Sequence, residues 1–303
     1  MATGPGAGSG GATAVARLAT PEDVPVIRAI LAAHGNDAPP RERLGPDIVG
    51  PYVLHLLAHH RAMVSELPGS GVVAFDAVAD VGIAWHLADL FVCPAHLGQG
   101  LGRQLLAALY GVRQPRTTFA SDDPRALPIY IRAGMAARWV ALYLEGGPEA
   151  ARRASADPRA RAVEVVDGDP AEQAALELAW TGADRSRDHE LWVGWPGSDP
   201  FIVRDDAGPV AVGYGRDRQT GPAVRAVDRL VVRPGADPVG PVLAAVGRCI
   251  AAGDVLDLTV PGPNPAMRPL LEAGFSIDDR DVYCAGPTDP LDPVARLVNG
   301  GLL

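Results

Sequence analysis

The sequence predicts an α+β (mixed α/β) chain of two tandem domains, and three observations support this fold class. The chain has 303 residues, enough for two domains at roughly 100–200 residues each. Segments with strand-like and helix-like periodicity alternate through both halves. The later parts of the halves align without a gap at a constant offset of 140, which indicates an internal duplication. The matched pairs include Pro94 with Pro234, Gly100 with Gly240, Ala126 with Ala266 and Gly134 with Gly274.

The first half begins with an apolar strand and a helix start. Thr20 is a suitable N-cap, with Pro21 at the first helical position and the acidic Asp23 at the third. The predicted strands are 15–18, 63–67, 72–78, 85–92, 117–120 and 140–144. The predicted helices follow Thr20 and also span 52–63, about 98–111 and about 123–133.

The second half begins in the same way, with a strand at 162–166 and an N-cap at Asp169 before Pro170. Its further predicted strands are 201–204, 210–214, 224–232 and 255–260, and its helices lie near 239–251 and 264–273. Residues 1–13 are mostly glycine and alanine, a small and flexible composition that predicts a disordered tail. The segment 147–160 has little periodicity and is predicted to be a linker. We therefore expect domains at 14–146 and 161–303.

Composition narrows the classes of partner and compartment. The formal net charge of −9 argues against nucleic-acid binding and favours a cationic small substrate. No apolar run approaches the roughly 20 residues that span a bilayer, so no membrane association is expected. The three cysteines lack metal-site spacing and suit a reducing compartment. We expect a cytoplasmic monomer or homodimer.

A glycine-rich loop between a strand and a helix is the most informative motif. Gly98, Gly100 and Gly102 alternate where the helix begins. Glycine lets the backbone approach a ligand, and the free N–H groups of a helix N-terminus bind anions. The loop is neither a Walker A motif nor a dinucleotide fingerprint. It predicts a pyrophosphate cradle, and the alternative is a turn that only packs the helix on the sheet.

Residues 92–102 resemble the acetyl-CoA loop of the GNAT acetyltransferase superfamily. Gly100 and Gly102 occupy its glycine positions, while Leu97 stands where Gln or Arg is usual. A second stretch resembles the downstream motif of that superfamily, with Asp123 in place of the usual Asn. Its matching residues are Asp123, Ala126, Tyr130, Gly134 and Met135. The resemblance implies that each domain is a twisted, mixed, mostly antiparallel sheet flanked by helices.

The resemblance also implies acetyl-CoA as cosubstrate and direct transfer to a primary amine. No metal is expected, because the cysteines lack metal-site spacing and the histidines lack an apparent third ligand. Tyr130 is the implied acid for the leaving thiolate, and the strand N–H groups are the implied donors to the thioester carbonyl. Arg103 and Arg132 are candidates for the CoA phosphates. The implied acetyl-CoA-binding residues are Leu90, Phe91, Val92, Leu97, Gly98, Gln99, Gly100, Leu101, Gly102, Arg103, Asp123 and Tyr130.

The general base is less well determined by the sequence. An alkylamine with a pKa of about 10.4 must lose a proton before it attacks. Asp89 is our choice of catalytic residue beside Tyr130; Glu66, His86 and ordered water are alternatives. Thr118, where some members of the superfamily have glutamate, cannot act as a base.

Two further groups of residues have both structural and functional interpretations. His55 and His59 have a zinc-compatible spacing beside His60, but without an apparent third ligand we expect them to line the substrate pocket. Trp180, Trp192 and Trp195 could cap the acceptor site or join the domains, or they could be core aromatics.

The second half has lost the residues of the cradle. At offset 140, Gly98 becomes Pro238, Leu101 becomes Pro241, Gly102 becomes Val242 and Tyr130 becomes Leu270. Prolines remove backbone donors, so this degenerate copy is not expected to bind acetyl-CoA. The whole chain is predicted to be an N-acetyltransferase for a small primary amine. Acetylation of protein amines, a non-catalytic acetyl-CoA sensor and an interaction scaffold are the alternatives.

Overall fold

A computed structural model describes residues 13–35, 46–111, 113–218, 224–250, 254–298 and 301–302. All but the last residue of the predicted N-terminal tail lies outside the described residues. Among those described, no helix is both long enough and apolar enough to cross a membrane.

The first half alternates strands and helices as the sequence predicts. It contains β1 (Val15–Leu18), α1 (Val24–Gly35), α2 (Pro46–His59), β2 (Arg61–Leu67), β3 (Gly71–Asp80), β4 (Trp85–Val92), α3 (Leu101–Tyr110), β5 (Arg116–Ala120), α4 (Ala126–Arg132) and β6 (Ala136–Gly146). A 3-10 turn precedes α1, and the Thr20 backbone N–H donates there to Asp23 Oδ2 over 2.9 Å.

The second half repeats this order. Helices α5 (Pro148–Ser155) and α6 (Pro158–Arg161) connect the halves. Then follow β7 (Glu164–Asp167), α7 (Pro170–Thr181), α8 (Ser186–Val193), β8 (Asp199–Asp205), β9 (Gly208–Asp217), β10 (Val224–Val232), α9 (Val239–Ile250), β11 (Val255–Pro261), α10 (Met267–Ala273), β12 (Ser276–Ala285) and β13 (Arg296–Leu297). Strands β4 and β10 differ by the offset of 140 to within one residue, as do β6 and β12, so the structure agrees with the duplication.

The strands form one continuous sheet in the order β1-β2-β3-β4-β5-β12-β6-β11-β10-β9-β8-β7, with β13 beside β10. The β4–β5 and β10–β11 pairs are parallel, and the other described pairs are antiparallel. This confirms a mixed, mostly antiparallel sheet. Strand β12 lies between β5 and β6 of the first half, and β6 lies between β12 and β11 of the second half, so the two halves exchange strands. The domain limits 14–146 and 161–303 remain a prediction.

The segment 147–160, which is predicted to be a linker, is largely helical. Pro148 and Pro158 start the two helices, and the Asp157 side chain accepts from the backbone N–H of Arg159 over 2.9 Å. The apolar face of α5 consists of small alanine side chains instead of large aliphatic ones, so the sequence did not reveal it as a core-facing helix. The alanines of both helices are buried in the core of the second half.

A shared apolar cluster joins the two halves. It combines Phe75 and Tyr52 of the first half with Trp192, Trp195 and Tyr214 of the second. The expectation of an inter-domain contact therefore fits Trp192 and Trp195, both of which are buried. Trp180 instead packs, partly buried, on a small cluster within the second half.

Candidate active site

A groove opens where β4 and β5 separate. These strands pair through Trp85, His86 and Leu87 of β4, and in the described part of the chain the pairing stops there. A register shift against β3 leaves Ala88 as the extra residue of a β-bulge, which bends the strand. Strand β4 continues to Val92, so its backbone groups beyond the bulge face a groove instead of a neighbouring strand on the β5 side.

The groove has a volume of about 1150 Å³ and collects the predicted cosubstrate residues. Every predicted acetyl-CoA-binding residue except Gln99 lines it, as does Arg132. His34 and Arg125, which the sequence analysis did not select, line it too. His34 Nε2 lies 2.7 Å from the carbonyl oxygen of Val92 and thereby fixes the end of β4. No local pattern around His34 could have indicated this contact across 58 residues.

The glycine-rich loop has the backbone conformation that the motif predicts. Gly98 has a φ of 78° and Gly100 a φ of 82°, values that residues with a Cβ rarely adopt. Gly100 immediately precedes the first residue of α3, so the N–H groups of the first turn have no partner within the helix, and the residues that carry them line the groove. Leu97 lies at the rim with 36% of its surface exposed. The loop thus presents several N–H donors to an anion.

Gly102 has a different reason to be small. A Cβ built on Gly102 would lie 3.7 Å from both Ile129 Cδ1 and Val92 Cγ2, which is ordinary van der Waals contact. The protein packing therefore does not demand glycine at this position. Because Gly102 lines the groove, a larger side chain would instead take space from whatever occupies it.

Tyr130 lies on α4, and its side chain lines the groove. Its ring is 7% exposed, and burial raises the pKa of its hydroxyl well above the usual 10. The hydroxyl is therefore protonated at neutral pH and can donate a hydrogen bond. Thr118 donates its own hydroxyl to the carbonyl oxygen of Leu87 over 3.0 Å, consistent with the view that it is no base.

Asp123 lines the groove but its carboxylate is engaged by a neighbour. It accepts from the backbone N–H of Arg125 over 2.8 Å and from its guanidinium over 2.9 Å. These hydrogen bonds from Arg125 lower the pKa of Asp123. The pair places a guanidinium at the groove, where it could contact a phosphate.

Of the three side chains considered as bases, only Asp89 lines the groove. Glu66 is bound to Arg17 over 3.1 Å, and the fully buried His86 contacts Thr117 Oγ1 over 3.0 Å. The hydroxyl of Tyr52 donates to Asp89 Oδ2 over 2.8 Å. Burial raises the pKa of Asp89 to about 6, against the opposing effect of that hydrogen bond.

A second cavity, of about 420 Å³, meets the groove at Asp89. The two spaces share four lining residues: Ala88, Asp89, Ser121 and Asp281. The two cavities thus adjoin each other around Asp89. Asp281 comes from β12 and Tyr143 from β6, and their side chains are joined by a hydrogen bond of 2.8 Å.

The histidines of α2 do not line either cavity, contrary to expectation. His55 Nε2 and His60 Nε2 lie 2.7 and 3.1 Å from Asp188 Oδ1 on α8. Asp188 is the third candidate ligand that the sequence could not show, because it is more than 120 residues away. Arg185 binds its other oxygen over 2.5 Å, and this guanidinium opposes a metal cation there. The group connects α2 to α8.

The corresponding place in the second half is filled by the chain itself. Helix α6 lies on the N-terminus of α9, and a Cβ on Gly240 would come within 2.7 Å of the Arg159 carbonyl oxygen. Helix α5 packs between α9 and α10, where Arg153 Nε donates to the Ala273 carbonyl oxygen over 2.7 Å. The helices of the supposed linker therefore occupy the position that the groove has in the first half.

Solved GNAT structures share this architecture. The proposed acetyltransferase from Pyrococcus horikoshii has a TM-score of 0.68 at 13% identity, over 94% of each chain. A tandem GNAT protein from the clavulanic acid biosynthesis pathway has a TM-score of 0.61 at 17% identity, over 91% of this chain and 100% of that one. A GCN5-related N-acetyltransferase from Sphaerobacter thermophilus has a TM-score of 0.52 at 16% identity, over 92% and 98%.

No family model and no curated protein matches the sequence. At the identities of the solved structures, the likeness concerns the fold. It extends over both halves, including their order in the chain. The chain therefore has a tandem GNAT fold with a degenerate second copy.

Proposed function

We propose that the chain is an N-acetyltransferase, which transfers the acetyl group of acetyl-CoA directly to a primary amine of a small molecule. One observation carries this proposal: the groove of the glycine-rich loop meets a second, separate cavity at Asp89. A transferase for two substrates needs two such spaces that join at the reacting atoms. The tandem GNAT fold also supports the proposal of an acetyltransferase.

The groove offers suitable contacts for each part of acetyl-CoA. Backbone N–H groups at the start of α3 would bind the pyrophosphate, with Arg103, Arg125 and Arg132 near enough to contact phosphates. Backbone N–H groups of β4 beyond the bulge, in the stretch Leu90 to Val92, would donate to the thioester carbonyl. These groups are held by β4 itself, so they are oriented before the substrates bind.

Transfer needs three proton movements, and a side chain is available for two of them. Asp89 would accept the first proton of the acceptor ammonium, and the free amine would attack the thioester carbon. The new C–N bond forms, the nitrogen releases its second proton to solvent, and the C–S bond breaks as the tetrahedral intermediate collapses. Tyr130 would donate a hydrogen bond and then a proton to the leaving sulfur, and recover the proton from solvent.

The test combines binding and turnover. Calorimetric titration with acetyl-CoA should give one site per chain, and Gly102→Val should abolish it. Release of free CoA thiol should depend on an added amine, and Tyr130→Phe and Asp89→Asn should each lower kcat by about 100-fold or more. Binding without turnover, with Tyr130→Phe unchanged, would instead favour an acetyl-CoA sensor. Absence of acetyl-CoA binding would exclude both the acetyltransferase and the sensor.

The remaining proposals concern the setting of this reaction. We propose a small-molecule amine as partner in preference to nucleic acid or membrane, in line with the net charge of −9. We also propose a cytoplasmic monomer or homodimer that uses no metal. Sedimentation of the purified chain at several concentrations would test the oligomeric state.

A further inference from the structure

Helix α2 carries the side chain that hydrogen-bonds to the proposed base. Its Tyr52 is 6% exposed and donates its hydroxyl to Asp89 Oδ2 over 2.8 Å. Pro51, directly before Tyr52, has no N–H to donate within the helix, and a proline ring inside a helix crowds the carbonyl one turn earlier. The helix is therefore weakened next to Tyr52, and the position of the hydroxyl depends on contacts from outside the helix.

The second half supplies such a contact close to Tyr52. His55 lies three residues after Tyr52 on the same face of α2, and both side chains are buried. Its Nε2 lies 2.7 Å from Asp188 Oδ1 on α8. Arg185 is 2% exposed and holds the other oxygen of Asp188, so this carboxylate is itself fixed. His55 thus ties the helix beside Tyr52 to a fixed carboxylate of the degenerate copy.

A second connection joins the same arginine to the tip of the tyrosine. Arg185 also donates to the carbonyl oxygen of Leu302 over 2.8 Å. The adjacent Gly301 lies so close to Tyr52 that a Cβ on this glycine would come within 2.8 Å of the hydroxyl oxygen. Residues of the second half therefore confine Tyr52 both through its helix and at its hydroxyl.

The contact between His55 and Asp188 can be removed without leaving the carboxylate unpaired. His60 Nε2 lies 3.1 Å from the same oxygen of Asp188, and Arg185 binds the other oxygen. A buried carboxylate that keeps two partners avoids most of the free-energy cost of an unpaired charge. We therefore expect the fold to tolerate the loss of the His55 imidazole.

We propose that the second half positions the base of the first half. The contact of α8 with His55 holds α2 in place, so that the Tyr52 hydroxyl stays on Asp89. His55 and its partner Asp188 are then positioning residues, since neither lines the groove or the second cavity. This inference rests on the proposed function, and it gives the degenerate copy a role in catalysis that needs no cosubstrate binding.

The test is the acidic limb of the pH profile of kcat/KM in His55→Leu, which removes the imidazole between α2 and Asp188. Loss of the hydrogen bond from Tyr52 leaves Asp89 protonated up to a higher pH. The limb should therefore move to higher pH by about half a pH unit or more, since a hydrogen bond to a carboxylate is worth roughly one pKa unit. The double variant His55→Leu/Tyr52→Phe should shift no further than Tyr52→Phe alone. On the plateau at higher pH kcat/KM should change little, because Asp89 is ionised there in every variant.

Two variants separate the effect of position from the effect of charge. His55→Gln places an amide N–H near the position of Nε2 and can still donate to Asp188, so it should keep the wild-type limb. An effect of imidazole charge would instead persist in this neutral variant. His59→Leu is the matched control, because His59 lies one turn further along α2, is exposed and contacts Arg187 over 3.2 Å. It should leave the limb unchanged.

Three results would overturn the inference while the proposed function stands: a limb that stays in place in His55→Leu, a limb that moves equally far in His55→Gln, or shifts that add in the double variant. Tyr130 and Asp281, which line the groove with Asp89, are unchanged in all of these variants. If His55→Leu does not fold, His55→Asn takes its place, because its shorter amide cannot reach Asp188.

Failure of the proposed function has a different signature. In that case no amine is acetylated, and carbon-13 NMR of the side-chain carboxyl groups follows the titration of Asp89 directly, with Asp89→Asn identifying its signal. A midpoint that rises in His55→Leu and Tyr52→Phe, but not in His55→Gln, would retain the positioning role. Equal midpoints in the wild type and His55→Leu would overturn the inference as well.

Discussion

Asp89 and Arg229 occupy equivalent positions in the two halves, 140 residues apart, and their environments are opposite. Asp89 lies at the junction of two cavities, with Tyr52 donating to it over 2.8 Å. Arg229 is 1% exposed and makes two hydrogen bonds of 2.8 Å to Glu177. A buried ion pair thus occupies in the second half the position that borders two cavities in the first half.

The activity of the chain should depend on the ionisation of Asp89. Its pKa is raised to about 6, so below pH 6 the group is a neutral acid that cannot accept a proton. We expect kcat/KM to fall tenfold per pH unit below about pH 6. Tyr52→Phe removes the hydrogen bond that lowers this pKa, so the acidic limb should move to higher pH.

Two amines of different pKa provide the control for this profile. If the acidic limb of the pH profile reflects Asp89, it stays at the same pH when the amine is changed. If it reflects the amine, it shifts along the pH axis with the pKa of the amine. An acidic limb that follows the amine, or that is unaffected by Tyr52→Phe, would contradict the assignment of Asp89 as base.

The ion pair in the second half should stabilise the chain without taking part in binding. Arg229→Met leaves Glu177 charged and buried, so the free energy of unfolding should fall by about 3–5 kcal/mol. The double variant Arg229→Met/Glu177→Gln should recover part of this loss. Denaturant titration measures both, and acetyl-CoA affinity at low temperature should equal that of the wild type. Loss of affinity in the folded variant would show that the second half also binds the cosubstrate.

Local patterns predicted most strands and helices and the residues around the groove. Gly98, Gly100 and Tyr130 are marked by short motifs, and their neighbours on β4 follow from strand order. Helix α8 and strand β12 were missed because their sequences are rich in charged residues and lack a simple apolar period. Strand β12 depends on partners on both sides for its stability, and a single sequence does not show such partners.

The second cavity could not be predicted from local patterns for the same reason. Asp281 reaches the junction of the two cavities because β12 pairs with β5 of the first half, and this exchange of strands leaves no pattern in the sequence of β12. The contact of His55 with Asp188 spans 133 residues and was equally hidden. The sequence thus predicted the groove, which is marked by a short glycine-rich motif. It did not predict the second cavity, which is assembled by tertiary contacts.

A buried carboxyl group outside the site should set part of the pH dependence of stability. Asp76 is fully buried on β3, and burial raises its pKa well above the usual range. The folded state then holds a proton that the unfolded state releases above about pH 4. The wild type should lose up to about 1.4 kcal/mol of unfolding free energy per pH unit from pH 4 upward, until the folded-state pKa is passed.

Asp76→Asn cannot ionise, so the difference in stability between variant and wild type should grow with pH in favour of the variant. Urea titrations at pH 4.5, 6 and 7.5 would measure this. A difference that is constant over the range would show that Asp76 titrates normally in the folded chain.

The exchange of strands should make the halves inseparable. A fragment of residues 1–146 lacks β11 and β12, so β6 loses both of its strand partners and β5 loses β12. Unpaired strand edges with apolar residues such as Leu142 and Leu144 favour aggregation.

We expect each of the fragments 1–146 and 147–303 to be unstable alone. When co-expressed, they should form a one-to-one complex that binds acetyl-CoA. Circular dichroism and co-purification provide the measurement. A folded, monomeric 1–146 fragment that binds acetyl-CoA would show that the exchanged strands are dispensable for the first copy.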